Sequence, residues 1–146
     1  MTRPLVVLLS GANLNLLGER EPEVYGYATL EDHVATARKA ADEHGLDVEH
    51  TQTNHEGVLV EAIHAARHRA AGIVINPGAF THYAWAIHDA LATFTGPIVE
   101  VHISNPYARE SWRHVSVVSP VATGTITGLK GHGYVLAAHA VKELLG

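Results

Sequence analysis

A glutamate and a histidine stand two positions apart near the end of one apolar run. Glu100 and His102 lie in segment 98–103, which we predict to be a strand. Alternate residues of a strand point to one face, so both side chains face the same side at its carboxyl end. A carboxylate beside an imidazole fixes the tautomer and favours protonation, which suits a general acid near neutral pH. A purely structural polar pair would have the same spacing.

An arginine and a tyrosine on one connecting segment form a second candidate pair. A phenol is ordinarily a weak base at neutral pH, but a guanidinium close by favours the phenolate. Arg20 and Tyr25 fall in the connection 11–28, which is far longer than the usual length of about 2–6 residues. With Gly18 and Gly26 near its ends, this segment is a candidate lid. The spacing also fits a surface tyrosine and a solvated arginine.

Neutral polar side chains follow the other predicted strands. Asn13, Asn76, His82 and Ser104 could donate or accept hydrogen bonds there, although each alone is typical of a turn or a cap. Arg113, further along, could bind a hydroxyl or carboxylate group of a ligand, or lie on the surface.

The elements that position these residues alternate between strands and helices. We predict strands over 5–10, 47–52, 73–76, 98–103 and 115–119, and apolar residues recur at helical spacing over 30–41, 59–70, 84–94 and 134–145. Thr29 is a candidate cap and Gly45 a stop for the first of these helices. The order predicts an α/β fold with a parallel sheet covered on both faces, whose ligands bind at the carboxyl ends of the strands.

Length and composition indicate a single globular domain over residues 1–146. The chain is 47% hydrophobic and 17% charged, and its 10 basic and 15 acidic residues give a net charge of −5. Neither sign dominates, so we expect no nucleic-acid or membrane partner. The absence of cysteine excludes disulfides and thiolate chemistry. No apolar run is long enough to cross a bilayer and no signal-peptide pattern occurs, so we predict a cytoplasmic protein.

Several cofactor motifs are missing from the sequence. No glycine-rich phosphate loop follows a predicted strand, and no histidine pair has convincing metal-ligand spacing, so neither a nucleotide nor a metal is expected. Gly128, Gly131 and Gly133 fit a turn before the last helix. The remaining histidines, which we expect to lack converging partners, are His33, His44, His50, His64, His68, His88 and His139.

Taken in order, these segments resemble the type II 3-dehydroquinate dehydratases over nearly the whole chain. The motifs that carry the resemblance are Ala-Asn-Leu-Asn-Leu-Leu-Gly at 12–18, Arg-Glu-Pro at 20–22 with Tyr-Gly at 25–26, Gln-Thr-Asn-His-Glu-Gly at 52–57, Ile-Asn-Pro-Gly-Ala at 75–79, Val-Glu-Val-His-Ile-Ser-Asn at 99–105, Arg109 and Arg113. One departure is Ser-Gly-Ala at 10–12, where that family usually has Asn-Gly-Pro.

The resemblance implies a flavodoxin-like three-layer sandwich with a five-stranded parallel sheet and no cofactor. It also implies loss of water from 3-dehydroquinate to give 3-dehydroshikimate. The resemblance assigns the role of base to Tyr25, with Arg20 keeping it ionised. Asn13 holds a water against the enolate oxygen, and His102, oriented by Glu100, protonates the leaving hydroxyl.

The resemblance further implies how the substrate and the other subunits are contacted. The resemblance assigns contacts with the substrate to six residues, which are Asn76, Ala79, His82, Ile103, Ser104 and Arg113. Asp89 is expected to reach into a neighbouring subunit's site, since the family assembles trimers into dodecamers. An arginine of that neighbour, Arg20 or Arg109, would be its partner.

Other functions on the same sheet stay open, because a fold does not fix a function. A flavodoxin would need a hydroxyl-rich phosphate loop after the first strand, where segment 11–16 is mostly apolar with amides. A phosphoacceptor receiver would need an aspartate where Asn76 stands. An enzyme acting on a related cyclic hydroxy-ketone would share the site residues, and so would enzymes of aromatic biosynthesis and of quinate catabolism.

Overall fold

A computed structural model describes residues 2–146 of the chain. Within these residues the strands are β1 Leu5–Ser10, β2 Asp47–Gln52, β3 Gly72–Asn76, β4 Ile98–His102 and β5 Gly124–Thr127. The helices are α1 Pro22–Tyr25, α2 Leu30–Glu43, α3 Glu56–Ala66, α4 Trp85–Ala92 and α5 His132–Leu145. Short 3-10 helices occupy Leu14–Leu16, Gly78–His82, Pro106–Ala108, Ser111–His114 and Ser119–Val121.

All neighbouring strands are parallel, in the order β2-β1-β3-β4-β5. The chain adds β2 on one side of β1 and β3 on the other, so the strand order reverses between β1 and β3. Ser10 and Asn76, the last residues of these two strands, are paired in register. Ligands of such sheets bind beside this reversal, at the carboxyl ends of the strands.

Two apolar cores cover the two faces of the sheet. Val6 and Leu8 pack with the α2 and α5 side chains, whereas Val7 and Leu9 pack with those of α3 and α4. The alternation along β1 follows from the two-residue period of a strand. The predicted three-layer sandwich with a parallel sheet is confirmed.

Helix α2 begins and ends at the residues that its sequence indicates. Thr29 Oγ1 accepts a hydrogen bond from Asp32 N at 3.1 Å, and Thr29 N donates to the Asp32 carboxylate at 2.9 Å. This reciprocal pair is a capping box. At the other end Gly45 has φ +73° and Leu46 N donates to Ala41 O at 2.9 Å, which satisfies a terminal carbonyl.

The prediction of a fifth strand over 115–119 was wrong. Val117 and Val118 are buried, but they pack against the α3–α4 face, and Val117 N donates to Thr81 O at 2.7 Å. The fifth strand is instead Gly124–Thr127, an edge strand that begins with two exposed residues and lacks an apolar run. In the sequence, the buried loop therefore has the apolar pattern of a strand, whereas the short edge strand has no such pattern.

Two helix boundaries also differ from their predicted positions. Helix α3 ends at Ala66, so Ala70 of the apolar stripe lies in the following turn, and Gly72 opens β3. Helix α5 begins at His132, so Gly133 lies inside it rather than in a preceding turn. A side chain at Gly133 would approach Val101 Cγ1 to 3.3 Å, which explains a glycine where α5 crosses β4.

Five of the histidines expected to lack partners have them. His44 and His139 contact each other edge to face, with ring centroids 5.1 Å apart. His33 is buried and stacks on Tyr134 with ring centroids 5.4 Å apart. His50 Nε2 lies 2.9 Å from Ser10 Oγ, and His88 Nδ1 donates to Val117 O at 2.6 Å. Burial lowers the pKa of His33 and of His50.

Across residues 2–146, no helix combines the length and the apolar character needed to cross a membrane.

Candidate active site

A cleft opens where β3 and β4 end, and it encloses about 440 Å³ when the space at its mouth is counted. It is lined by Leu14, Arg20, Tyr25, Asn76, Gly78, Ala79, His82, His102, Ile103, Ser104, Pro106, Arg109 and Arg113. Most of the residues singled out in the sequence therefore meet at one place.

Residues 18–26, which we call the lid, bring Tyr25 into this cleft. Gly18 and Gly26 have φ of +93° and +80°, so both ends of the lid take a backbone conformation that suits glycine. Helix α1 begins at Pro22, a residue whose fixed φ favours the first helical position. Tyr25 ends this helix and is only 8% exposed.

Two guanidinium groups contact the phenol of Tyr25. Arg109 Nη1 donates to the Tyr25 hydroxyl at 2.7 Å and to Ser104 Oγ at 3.2 Å. The Arg20 guanidinium carbon lies 4.7 Å from the centroid of the Tyr25 ring. Arg20 therefore lies over the ring, and the arginine that bonds the hydroxyl is Arg109.

A buried carboxylate anchors His102 on the neighbouring strand. His102 Nε2 donates to Glu100 Oε2 at 2.5 Å, and Glu100 is 1% exposed. Its two oxygens also accept hydrogen bonds from Thr81 Oγ1 at 2.5 Å, Ser119 Oγ at 2.5 Å and Ser116 Oγ at 3.1 Å.

Hydrogen bonding keeps this carboxylate charged. Burial alone would raise the pKa of Glu100, but the bonds from His102, Ser119 and Thr81 outweigh burial and lower it. A carboxylate only accepts hydrogen bonds, so Nε2 of His102 carries a proton and Nδ1 is free of this bond.

The side chain of Asn76 is anchored at both ends of its amide. Nδ2 donates to the Tyr134 hydroxyl at 3.0 Å, and Oδ1 accepts from Gly78 N at 3.2 Å. Burial raises the pKa of Tyr134 to about 12, although the Asn76 hydrogen bond opposes the shift, so the phenol is neutral at physiological pH. Gly78 has φ +62°, and a side chain there would approach the carbonyl of Ala12 to 2.7 Å.

His82 and Arg113 line the cleft on the side of the 3-10 helix Ser111–His114. His82 Nδ1 donates to Val115 O at 2.7 Å. Burial lowers the pKa of His82, and the bond to Val115 opposes the shift, so the ring favours its neutral form. The Arg113 guanidinium carbon lies 4.0 Å from the centroid of the Trp112 ring, and its Nε pairs with the Glu110 carboxylate.

Three of the sequence-predicted site residues do not line the cleft, and they are Glu100, which is buried beneath His102, Asn13 and Asp89. Asn13 lies just after β1 with φ +68°, and its backbone N–H donates to Asn54 Oδ1 at 2.9 Å. Asp89 lies on the exposed side of α4. In the part of the chain from residue 2 onward, histidine and acidic side chains form no group of three suited to a metal ion.

The sequence reasoning missed two features of this site. It offered Arg20 or Arg109 of a neighbouring subunit as the partner of Asp89 and gave Arg109 no contact within the chain, whereas Arg109 bonds Tyr25 across 84 positions of sequence. It gave no role to Thr81, Ser116 and Ser119, which surround Glu100. Contacts so distant in sequence leave no local spacing signal, and only the polar residues within the otherwise apolar 115–119 segment hinted at a buried polar partner.

The fold and the cleft together define an α/β protein of the class that binds a small ligand at the carboxyl ends of parallel strands. Residues 4–142 match the family model described as Dehydroquinase class II. The chain is 53% identical over 143 residues to 3-dehydroquinate dehydratase 2 of Pseudomonas putida, covering 98% of this chain and 96% of that one. It is 51% identical over 140 residues to 3-dehydroquinate dehydratase 1 of Agrobacterium fabrum, covering 96% and 97%.

Solved structures agree with these relatives. The type II dehydroquinase of Propionibacterium acnes superposes with a TM-score of 0.93 at 45% identity, covering 98% of each chain. That of Butyrivibrio crossotus superposes with a TM-score of 0.92 at 41% identity, covering 95% of this chain and 97% of the other. The chain belongs to the type II 3-dehydroquinate dehydratase family, and the protein is a hydro-lyase with a flavodoxin-like fold.

Proposed function

We propose that the protein removes water from 3-dehydroquinate to give 3-dehydroshikimate, as a step of the shikimate pathway. The observation that carries the proposal is that one cleft contains both Tyr25, bonded by Arg109, and His102, bonded by Glu100. Dehydration beside a ketone needs a base to remove a proton and an acid to protonate the departing hydroxyl. The names of the relatives from Pseudomonas putida and Agrobacterium fabrum support this substrate.

In the first step the Tyr25 phenolate removes a proton from the carbon beside the ketone. The C–H electron pair moves toward the carbonyl oxygen, and an enolate forms. The hydrogen bond from Arg109 holds the Tyr25 oxygen in the cleft, and the guanidinium of Arg20 lies over the Tyr25 ring.

Asn13 acts next, by holding a water molecule against the enolate oxygen. The residue lies directly after β1, beside the strand reversal, and Asn54 accepts the hydrogen bond of its backbone N–H. A backbone anchored in this way leaves the side-chain amide to bind the water. The donated hydrogen bond stabilises charge that develops only as the proton leaves.

In the second step His102 protonates the departing hydroxyl. The enolate electrons form the new carbon–carbon double bond, the carbon–oxygen bond breaks, and water leaves. Glu100 fixes the imidazole tautomer and stabilises the positive charge of its protonated form. The proton taken by Tyr25 and the proton given by His102 balance over one turnover.

The rest of the cleft binds the parts of the substrate that do not react. The side chain of Asn76 and the backbone N–H groups of Ile103 and Ser104 receive the carboxylate. His82 and Arg113 bind ring hydroxyls, and Ala79 packs against the ring. The neutral form of His82, favoured by burial, suits a hydroxyl partner.

Assembly is part of the proposal. We place Asp89 in a neighbouring subunit's site, within trimers that associate as dodecamers. Asp89 is exposed on α4, and the nearby aromatic residues Tyr83 and Trp85 are 58% and 62% exposed. Exposed aromatic groups of this kind mark surfaces that another protein covers. Arg20 of the neighbour is the natural partner for the carboxylate.

A turnover assay tests the substrate and the reaction class. Purified protein freed of metal with a chelator is mixed with 3-dehydroquinate, and the absorbance of the conjugated enone is followed. We expect a rise that is proportional to enzyme concentration. Turnover of only another cyclic hydroxy-ketone would contradict the substrate, and stoichiometric binding of a flavin without turnover would contradict the enzyme.

A further inference from the structure

We infer that Tyr134 is a positioning residue, which fixes the amide of Asn76 so that one N–H points to the substrate carboxylate. The inference rests on the carboxylate-binding role proposed above for Asn76. Tyr134 itself lies behind the cleft, on helix α5, and does not line it.

The hydrogen bonds of Asn76 determine which way its amide faces. A side-chain amide offers two N–H donors on one side and a carbonyl acceptor on the other. Oδ1 accepts from Gly78 N, and one Nδ2 hydrogen goes to the Tyr134 hydroxyl. If the amide were flipped, its NH₂ group would face the N–H of Gly78, and two donors would meet. Only the orientation with Oδ1 toward Gly78 N satisfies that hydrogen bond. The second Nδ2 hydrogen then remains for an anion.

Tyr134 is itself fixed by its surroundings. It is 1% exposed, and the His33 ring stacks on it with an interplanar angle of 25°. Val74, two positions before Asn76 on the same face of β3, packs in the same core as Tyr134. The α2–α5 layer therefore contacts Asn76 through the Tyr134 hydroxyl.

The hydroxyl of Tyr134 has a purpose that packing alone does not explain. A phenylalanine would fill the same apolar core without the cost of burying a polar group. Because burial raises the pKa of Tyr134 to about 12, its oxygen remains a neutral acceptor at physiological pH. The hydrogen bond that it accepts from Asn76 explains why this position has a hydroxyl group.

The variant Tyr134→Phe removes this one oxygen atom. Asn76 binds the charged carboxylate of the substrate. Losing the hydrogen bond that orients its amide weakens substrate binding by roughly tenfold. We expect KM for 3-dehydroquinate to rise about tenfold, while kcat changes by less than about twofold, because a contact made equally in the ground and transition states changes KM alone. A merely structural role would lower the melting temperature and leave KM unchanged.

Val141→Ala is the matched control. Val141 is fully buried in the same helix and the same core, beside Gly72 at the opposite end of β3 from Asn76. We expect this variant to melt at a lower temperature with an unchanged KM, which separates loss of packing from loss of orientation.

A double-mutant cycle completes the test. In an Asn76→Ala background we expect Tyr134→Phe to cause no further rise in KM, because the amide it orients is gone. A folded Tyr134→Phe enzyme with the KM of the wild type would overturn the inference and leave the proposed function intact. An Asn76→Ala enzyme with unchanged KM would overturn the role of Asn76 in carboxylate binding, and this inference with it.

Discussion

The two arginines at Tyr25 have different geometries and therefore different tasks. Arg109 donates a hydrogen bond to the oxygen atom, whereas Arg20 lies over the ring face and pairs with Glu21 at 3.4 Å. Arg109 therefore holds the oxygen atom of Tyr25 in position, whereas Arg20 covers the ring.

This difference gives a prediction for turnover. Arg109→Ala should lower kcat by more than Arg20→Ala does, because it removes the hydrogen bond that holds the Tyr25 oxygen in the cleft. Arg109→Lys should recover only part of the activity, since a flexible ammonium group lacks the fixed planar geometry of the guanidinium that contacts Tyr25 and Ser104. Steady-state rates at saturating 3-dehydroquinate measure these losses.

Equal losses of kcat in the two alanine variants would contradict the division of tasks between Arg20 and Arg109.

Local spacing predicts some of these residues and not others. Glu100 and His102 share a face because a strand has a two-residue period, so their pairing could be predicted from one segment. The bonds from Arg109 to Tyr25 and from Ser119 to Glu100 join loops that are far apart in sequence. Their geometry depends on how the loops pack, and no periodic pattern encodes it.

At the scale of elements, the lid is the feature that delivers the proposed base. Its length and its two glycines predicted a mobile segment, and α1 within it places Tyr25 in the cleft. We expect the lid to open without ligand and to close over a bound substrate analogue, which excludes water from the reacting atoms.

Limited proteolysis near Arg20 measures this motion. Trypsin should cut there slowly when the analogue saturates the protein and faster when it is absent. A cleavage site in another exposed segment, such as that after Arg67, serves as the control, because its rate should not change. Identical rates at Arg20 with and without the analogue would count against closure.

The contact between α2 and α5 gives a prediction for stability. Burial lowers the pKa of His33, and the charge of Asp32 opposes the shift. The unfolded chain therefore binds a proton more readily than the folded protein does. Stability is complete above the unfolded pKa of about 6.5 and is lost as pH falls toward the lower folded value.

His33→Phe keeps a ring against Tyr134 and removes the titrating group. The melting temperature of this variant should fall less than that of the wild type between about pH 7 and 5, with the remaining slope due in part to His50. His68→Asn, a change at an exposed histidine, is the matched control and should keep the wild-type slope. A wild-type slope in His33→Phe would refute the account.

Elements with strong local signals could be predicted, and those without them could not. The capping box at Thr29 and the turn at Gly45 fixed the ends of α2. Strand β5 carries no apolar run, and its pairing with β4 supplies its structure. The segment 115–119 was predicted to be a strand because it contains several valines. These valines are there because the segment is buried, and not because it pairs with a strand.

At the scale of the whole molecule, the reversal of strand order between β1 and β3 locates the cleft, and assembly would complete it. The alternation of strands and helices is enough to predict such a sheet. Neither the spacing of residues nor a single chain defines how copies associate, because an interface depends on complementary shape over a wide surface.

The proposed assembly predicts that Asp89→Ala weakens both association and activity. An interface carboxylate that loses its partner arginine, or an arginine that loses its carboxylate, is left unpaired, which costs more than the pair contributes. Sedimentation at micromolar concentration should show trimer-based species for the wild type and smaller species for the variant. Glu61→Ala, a change at an exposed acid on α3, is the control. A fully active monomer would refute the proposal.

The most direct measurement of the central claim follows hydrogen exchange and water loss separately, by NMR of 3-dehydroquinate in D₂O. If Tyr25 is the base and His102 the acid, His102→Asn should still exchange the hydrogen beside the ketone while losing water about 10²–10⁴-fold more slowly. Tyr25→Phe should lose both, and Tyr27→Phe, a change at a tyrosine that is 81% exposed, should lose neither. Exchange at the wild-type rate in Tyr25→Phe would contradict the account, and so would wild-type water loss in His102→Asn.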